Sequence, residues 1–277
     1  LRRELCGVAL SLSNGKHCRV AKDTRFYPMI LAVDIGNSNI CIGGLDGMKV
    51  LFTARMVTRP RCTGDEYTAE LKFLLGRLGV TPEAVIVCSV VPDLTKVLAD
   101  ACTRLTGRKA MLVSPALNTG LTFAVDAPDR VGRDRIADAT AAAAHYPLPC
   151  MTVDLGTATT YNVISSKRAF LGGFILPGVQ TSLRAISSGT AQLPPISPET
   201  PDGRNTVECL NNGVMFGTAA MLDGLAARVE AELGEPLTVV ATGGLAPCIM
   251  PCCTRKVIYD SDLLFKGLAI LYSKNAE

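Results

Sequence analysis

The chain has 277 residues, 48% of them hydrophobic and 19% charged, with 28 Lys and Arg against 25 Asp and Glu. This apolar content excludes an intrinsically disordered chain, and the length excludes a small disulfide-stabilised scaffold. Residues 1–28 carry a net charge of +4, which leaves −1 for the rest of a chain whose total is +3. We therefore expect no nucleic-acid partner, and since no apolar run reaches the roughly 18 residues of a membrane span, no membrane partner either.

The first half of the chain predicts strands that alternate with helices. Residues 1–28 have no sustained periodicity and precede an apolar strand that starts at Met29, so we interpret them as an N-terminal extension that is not native or is disordered. A docked N-terminal arm is the alternative. Strands are predicted at Ile30–Ile35, Ile40–Leu45, Lys49–Arg55, Ala84–Val91 and Met111–Val113. Helices are predicted at Asp65–Leu78, at Asp93–Thr106 and after Arg130, where an alanine-rich helix runs through Ile136–Ala144.

The second half repeats this order. The segment Leu31–Ser38 resembles Met151–Ala158 at an offset of 120 residues, and both contain an Asp-x-Gly turn after an apolar strand. This similarity predicts an internal duplication with a boundary near Pro147–Pro149, which gives domains at residues 29–148 and 149–277. Strands are predicted at Cys150–Val153, Thr159–Ile164, Ala169–Leu176 and Leu237–Thr242, and helices at Asn211–Leu233 and Leu263–Ser273.

The cysteines indicate a reducing compartment. There are 11 of them, none in a C-x-x-C pair, which favours buried reduced thiols in a cytoplasmic protein. Cys248, Cys252 and Cys253 cluster, but a zinc site would need further ligands. Because His145 is the one histidine after residue 28, Ser-His and Cys-His catalysis are disfavoured.

Two turns have the composition of phosphate-binding loops. Asp34-Ile35-Gly36-Asn37-Ser38-Asn39 and Asp154-Leu155-Gly156-Thr157 each combine a glycine, hydroxyl or amide donors and a carboxylate. Turn amides can bind an anion, and a carboxylate beside phosphate requires an intervening cation, which makes Asp34 a candidate Mg²⁺ ligand, directly or through water. The alternative is that both are ordinary hairpin turns. No Walker A motif occurs in the sequence, so a P-loop enzyme is disfavoured.

A further carboxylate, Asp134, lies within Gly132-Arg133-Asp134-Arg135 at the start of the alanine-rich helix. The adjacent arginines should lower its pKa and keep it ionised, so that it can accept a proton from a substrate hydroxyl during phosphoryl transfer. Arg135 has the geometry to bind a substrate carboxylate. The alternative is an acid that only complements the helix dipole.

Taken together and in order, these motifs resemble type III pantothenate kinases over roughly residues 29–273. Each motif alone is generic to the superfamily of acetate and sugar kinases, heat-shock chaperones and actin. The matching segments are Asp34–Ser38, Gly132–Arg135, Asp154–Thr160, Gly172–Gly178, Asn205-Thr206 and Thr242–Ala246.

The resemblance implies an α/β fold of duplicated actin-like (ribonuclease H-like) domains with ATP in a central cleft. It implies ATP-dependent phosphorylation of pantothenate, with Mg²⁺, a monovalent cation (K⁺ or NH₄⁺) at Asp154, and a homodimer. Asp134 would be the catalytic base. The implied ATP contacts are Asp34, Ile35, Gly36, Asn37, Ser38, Asn39, Ile40, Cys41 and Thr157, and the implied pantothenate contacts are Gly132, Arg133, Asp134, Arg135 and Thr206.

Two positions depart from the family pattern. Val125 stands where many members have a tyrosine, and Arg133 stands where the residue is often small. Neither change removes a catalytic group. Two other functions remain open from sequence alone: a non-catalytic regulator that retained the fold, and a filament-forming relative of actin.

Overall fold

A computed structural model of the chain describes residues 9–11, 29–189 and 203–276. Most of the predicted extension 1–28 lies outside the described residues. The chain divides into two compact units. Unit 1 contains the residues up to Thr119, Asp129–Ala141 and the chain from Leu264 onward, and unit 2 contains Gly120–Pro128 and Ala142–Leu263. In the described part, no helix has the combination of length and hydropathy that crossing a bilayer requires.

Unit 1 is built on a six-stranded sheet with helices α1 (Gly64–Leu78) and α2 (Pro92–Thr106). Its strand order is β1-β4-β3-β2-β5-β6. The strands are β1 (Ala9–Ser11), β2 (Ile30–Ile35), β3 (Asn39–Asp46), β4 (Lys49–Val57), β5 (Ala84–Ser89) and β6 (Met111–Leu112). Helix α3 (Arg133–His145) follows a 3₁₀ turn at Pro128–Arg130.

Unit 2 contains the second sheet, in the order β13-β12-β8-β9-β10-β7, with β11 also paired to β9. Its helices are α4 (Val179–Gly189), α5 (Thr206–Leu233) and α6 (Ala246–Ile249). The strands are β7 (Thr122–Phe123), β8 (Cys150–Leu155), β9 (Ala158–Ile164), β10 (Ala169–Gly172), β11 (Ile175–Pro177), β12 (Thr238–Thr242) and β13 (Ile258–Tyr259). The final helix, α7 (Leu263–Asn275), belongs to unit 1 apart from its first residue.

The two sheets have the same topology. In each sheet, three consecutive strands form an antiparallel meander. The first strand of the meander also pairs in parallel with a later strand, and that later strand pairs in parallel with the strand that follows it. The strands β2-β3-β4-β5-β6 thus correspond to β8-β9-β10-β12-β13. This confirms the predicted α/β class with two related sheets.

Helix ends in unit 1 follow from local chemistry. At the start of α1, the Glu66 amide donates to the Thr63 hydroxyl at 3.3 Å, and the Glu66 carboxylate accepts from the Thr63 amide at 2.7 Å. Gly79 ends the helix in the left-handed conformation, with φ 67°. These two caps satisfy backbone groups that the helix itself leaves unpaired, so the ends of α1 are readable from sequence.

The structure differs from the sequence prediction in three places. The predicted strand Ala169–Leu176 is divided into β10 and β11, because Gly172 and Gly173 have φ values of 97° and 150°. A Cβ on Gly173 would overlap the Tyr161 carbonyl, so β9 and this bend contact each other through backbone. Helix α5 begins at Thr206 rather than Asn211, because the Asn205 side chain caps it. Helix α4 and the short strands β7 and β13 were not predicted.

Helix α7 packs on helix α3 and strand β3 of unit 1, and each contact is made at a glycine. Gly267 lies directly on the backbone of Ala137 in α3, and a Cβ there would overlap the Ala137 carbonyl group. On the same helix, the Phe265 ring occupies the space that a side chain at Gly43 of β3 would need, 2.6 Å from the Cβ position. The C-terminal helix therefore fixes α3 against β3.

We expect Gly267→Ala to destabilise the protein by at least about 2 kcal/mol, because the added methyl overlaps rigid backbone rather than a movable side chain. Gly224→Ala is the matched control, since Gly224 is also helical but has nothing within 4 Å of its Cβ position. Alanine there should stabilise the helix by about 0.5–1 kcal/mol. Thermal and urea unfolding of both variants would measure these effects, and equal stability of the two would contradict the packing described for α7.

We also expect residues 1–28 to be dispensable. In the described part, β1 contributes three backbone pairs at the sheet edge, opposite Thr53–Arg55, and the core of unit 1 begins with Met29. A chain that begins at Met29 should keep its melting temperature within a few degrees and should form an oligomer with the same number of subunits. Unfolding or dissociation of the shortened protein would show instead that the extension is a docked arm.

Candidate functional site

The turn between β2 and β3 is a tight hairpin turn closed by a backbone hydrogen bond. Its Gly36 amide donates to the Asn39 carbonyl at 3.0 Å, and a Cβ on Gly36 would lie 3.0 Å from that oxygen. Asn37 and Ser38 are exposed at its tip. Of the predicted ATP contacts, Ile35 and Ile40 are fully buried. Their side chains are apolar and shielded from solvent, so they direct no polar group toward a ligand.

The start of α3 presents Asp134. The Gly132 carbonyl accepts the first helical bond, from the Ile136 amide at 3.1 Å, and Asp134 Oδ1 accepts from the Arg135 amide at 2.8 Å. A Cβ at Gly132 would lie 2.6 Å from Asp134 Oδ1. Glycine at 132 is therefore required for this carboxylate position.

The environment of Asp134 differs electrostatically from the prediction. We expected the adjacent arginines to lower its pKa. The Arg135 amide and charge do act in that direction, but burial has the larger effect and raises the pKa of Asp134 above its ordinary value. The pKa of Arg135 is lowered by its own burial, against the effect of the Asp134 charge. A carboxylate with a raised pKa is a better proton acceptor from a hydroxyl once ionised.

Asp34 and Asp134 occupy one region of unit 1 although they are far apart in sequence. Asp34 on β2 stands opposite Cys41 of β3 and Cys88 of β5. The pKa of the Cys88 thiol is raised well above its ordinary value by burial and by the charges of Asp34, Asp134 and Asp138. Asp138, one turn beyond Asp134 on α3, is 2% exposed and was not singled out from sequence.

A cavity of about 660 Å³ adjoins the α3 start within unit 1. Its volume falls in the range of small-molecule sites. Ser89, Thr95 and Ser114 contribute hydroxyl groups, and Val87 and Leu112 contribute apolar surface. The wall also includes the loop Asp129–Arg133, so the cavity reaches the two residues that precede Asp134.

The Asp154 turn in unit 2 is similar to the first turn but one residue shorter. The Gly156 amide donates to the Ala158 carbonyl at 3.2 Å, two residues ahead, whereas Gly36 donates to Asn39, three residues ahead. Gly243, with φ 88°, packs against the same turn, and a Cβ there would lie 2.5 Å from Asp154 Oδ1. The carboxylate thus lies in a cradle formed by the backbones of Gly156 and Gly243.

Thr157 and Thr206 are also presented by unit 2. Thr157 is exposed, and its carbonyl accepts from the Gly178 amide at 3.2 Å and the Thr181 hydroxyl at 2.7 Å. Thr206 is exposed in the first turn of α5, next to its cap Asn205. At the position of the departure from the family pattern, Val125 Cγ1 lies 3.7 Å from the Cβ position of Gly172.

Some supporting residues could not be found from sequence. The Thr58 hydroxyl donates to the Gly36 carbonyl at 2.7 Å, and the Thr58 amide donates to the Ser38 carbonyl at 3.1 Å. Nothing local distinguishes this threonine at the end of β4 from any other. Its role comes from the pairing of β4 with β3, which places it beside the turn.

No group of three or more His, Cys, Asp or Glu side chains arranged for a metal ion occurs within residues 9–11, 29–189 and 203–276. Mg²⁺ in kinases is usually held by one or two carboxylates together with substrate phosphates. A single carboxylate at each Asp-x-Gly turn therefore fits a metal that arrives with a nucleotide. It does not fit a metal held by protein groups alone.

Comparisons with solved structures show the fold. A Baf family transcriptional activator from Campylobacter jejuni is 22% identical, with a TM-score of 0.57, covering 88% of this chain and 98% of that one. The activator of 2-hydroxyisocaproyl-CoA dehydratase from Clostridium difficile, solved with ADPNP, is 11% identical with a TM-score of 0.52, covering 89% of this chain and 94% of that one. The fold is the duplicated actin-like ATPase fold.

Sequence comparisons are more specific. A chain from Anaeromyxobacter sp. (strain K), a type III pantothenate kinase, is 39% identical over 253 residues, covering 89% of this chain and 100% of that one. The type III pantothenate kinase of Exiguobacterium sibiricum is 40% identical with the same coverage. The family model described as type III pantothenate kinase matches residues 30–228. The chain therefore belongs to the type III pantothenate kinase family.

Proposed function

We propose that this chain transfers the γ-phosphoryl group of ATP to the hydroxyl of pantothenate, forming 4′-phosphopantothenate in the first step of coenzyme A biosynthesis. The observation that carries the proposal is the family match over residues 30–228, a span that contains Asp34, Asp134 and Asp154. The cavity beside α3 and the half-buried Asp134 carboxylate that follows its wall support the proposal of an acceptor site with a base.

Asp134 is the proposed base. When its Oδ2 atom accepts the hydroxyl proton of pantothenate, the hydroxyl oxygen becomes a stronger nucleophile toward the γ-phosphorus. Oδ1 already accepts the Arg135 amide, which holds the carboxylate in one orientation. Because burial raises the pKa of Asp134, its carboxylate binds a proton more strongly than an exposed aspartate would.

The nucleotide contacts belong to the two Asp-x-Gly turns. In unit 1, we assign the phosphate contacts to residues 34–41, with backbone groups of the buried Ile35 and Ile40 and side chains of Asn37, Ser38, Asn39 and Cys41. In unit 2, Thr157 is the proposed contact. Mg²⁺ neutralises negative charge on the phosphates, and Asp34 is its proposed protein partner, directly or through water.

Asp154 is the proposed site of a monovalent cation, K⁺ or NH₄⁺. Its carboxylate is cradled by the backbones of Gly156 and Gly243. An anion beside ATP phosphates raises the electrostatic energy unless a cation lies between them. This arrangement supports a bound cation that reduces the repulsion.

Gly132, Arg135 and Thr206 are the proposed pantothenate contacts. The Arg135 guanidinium suits the carboxylate of pantothenate, because it donates two parallel hydrogen bonds. Arg133 belongs to the same segment, but its Nη1 atom is engaged by backbone carbonyls.

We also propose a cytoplasmic homodimer. The nine cysteines in the described residues are free thiols, which fits a reducing compartment. Phe216 and Met221 on α5 and Ile186 on α4 are large apolar side chains left exposed in a single chain. A second copy is the proposed partner for these side chains.

Replacing the base tests the function directly. Asp134→Asn should lower kcat for pantothenate by about 10²–10⁴-fold, because the amide keeps the shape but cannot accept the proton. A coupled ADP-release assay measures this, with the exposed Asp93→Asn as a control for loss of one negative charge. A variant with more than about half of the wild-type rate would contradict the base assignment, and a wild-type protein inactive on pantothenate would contradict the function.

Cation dependence is a separate expectation. Turnover should require Mg²⁺ and should fall at least about tenfold in sodium-only buffer, because the charges of Asp34 and Asp154 would then oppose the phosphates. Titration of K⁺ and NH₄⁺ into the same assay measures the response. Asp154→Asn should weaken the response to K⁺ while the Mg²⁺ requirement persists. Full turnover in the absence of both K⁺ and NH₄⁺ would contradict the role of Asp154.

A further inference from the structure

Arg133 has an unexpected environment. It is the first residue of α3, and its Nη1 atom donates to the Asp129 carbonyl at 3.0 Å and to the Val131 carbonyl at 2.9 Å. Both acceptors belong to the loop that precedes the helix. The side chain therefore turns back along the chain and joins the helix to its own entry loop.

This position is unfavourable for a cation in isolation. The first turn of a helix carries partial positive charge, so an arginine there is normally less stable than an acid. The two carbonyl oxygens compensate, because they bring partial negative charge to the guanidinium. Side chains in a helix also point toward its N-terminus, which gives Arg133 the correct direction to reach the loop.

The loop that Arg133 holds determines where Asp134 lies. Val131 is 8% exposed and anchors one side of the loop in the core. Gly132 then contacts Asp134 so closely that a Cβ would lie 2.6 Å from Oδ1. A shift of the loop therefore moves the carboxylate, and a displacement of about 1 Å in a reacting group can lower a rate by about 10²-fold.

We propose that Arg133 is a positioning residue that acts through the Asp129–Gly132 loop to hold Asp134 in its reactive place, rather than a ligand of the acceptor. The proposal rests on the proposed function, since it assumes that Asp134 is the base. It explains why an arginine stands at a position where the family often has a small residue. The long side chain can hydrogen-bond the carbonyl groups of the loop and hold it in place.

The test separates kcat from KM. Arg133→Ala should lower kcat by about 10–100-fold, with KM for pantothenate and ATP changed less than about twofold. Guanidinium ion at tens of millimolar should restore part of the rate, because it can occupy the vacated space and donate to the same carbonyls. Arg77→Ala, an exposed arginine on α1, is the control and should show neither the loss nor the restoration.

A second measurement does not depend on catalysis. Amide hydrogen exchange in a peptide covering residues 128–136 should be faster in Arg133→Ala than in wild type, and guanidinium should slow it again. This readout distinguishes failure of the positioning role from failure of the pantothenate kinase assignment. A large increase in KM for pantothenate with unchanged kcat, or unchanged exchange in the loop, would overturn the proposal.

Discussion

Close contact between a carboxylate and a glycine backbone is the constraint on which the Asp134 segment of unit 1 and the Asp154 turn of unit 2 each depend. Asp134 Oδ1 lies 2.6 Å from the position of a Cβ at Gly132, and Asp154 Oδ1 lies 2.5 Å from that of Gly243. Any side chain at either glycine would displace the carboxylate or the loop. In both motifs, the carboxylate occupies space that is free because the neighbouring residue is a glycine without a side chain.

The sheets explain why these turns are well held. Asp34 near the end of β2 and Asp154 near the end of β8 each lie on the strand that has an antiparallel neighbour on one side and a parallel neighbour on the other. A turn that leaves such a strand is anchored by both neighbours. In unit 1 the Thr58 hydroxyl adds a further bond to the turn at Gly36. The same strand order in both units therefore produces two similar turns.

Burial and charge oppose each other at Asp134. Arg135 favours the ionised form through its amide and its charge, and removal from water disfavours it more strongly. The result is a carboxylate whose pKa is raised and whose orientation is fixed by a hydrogen bond from the Arg135 amide. Sequence suggested the opposite net shift, because adjacent arginines are visible in the sequence while the degree of burial is not. Arg133, the arginine that precedes Asp134, directs its guanidinium at the Asp129 and Val131 carbonyls.

The sequence by itself determined the elements whose signals are local. Strand β2, helix α1 apart from its Thr63 cap, and the two Asp-x-Gly turns all follow from periodicity and turn chemistry. Tertiary structure alone decided the rest: the division of residues 169–176 at Gly173, the contact of Gly243 with Asp154, and the packing of α7 on Ala137. These depend on backbones that approach each other from distant parts of the chain. In the sequence, such a close approach is visible only as a glycine, and the glycine alone does not reveal which part of the chain packs against it.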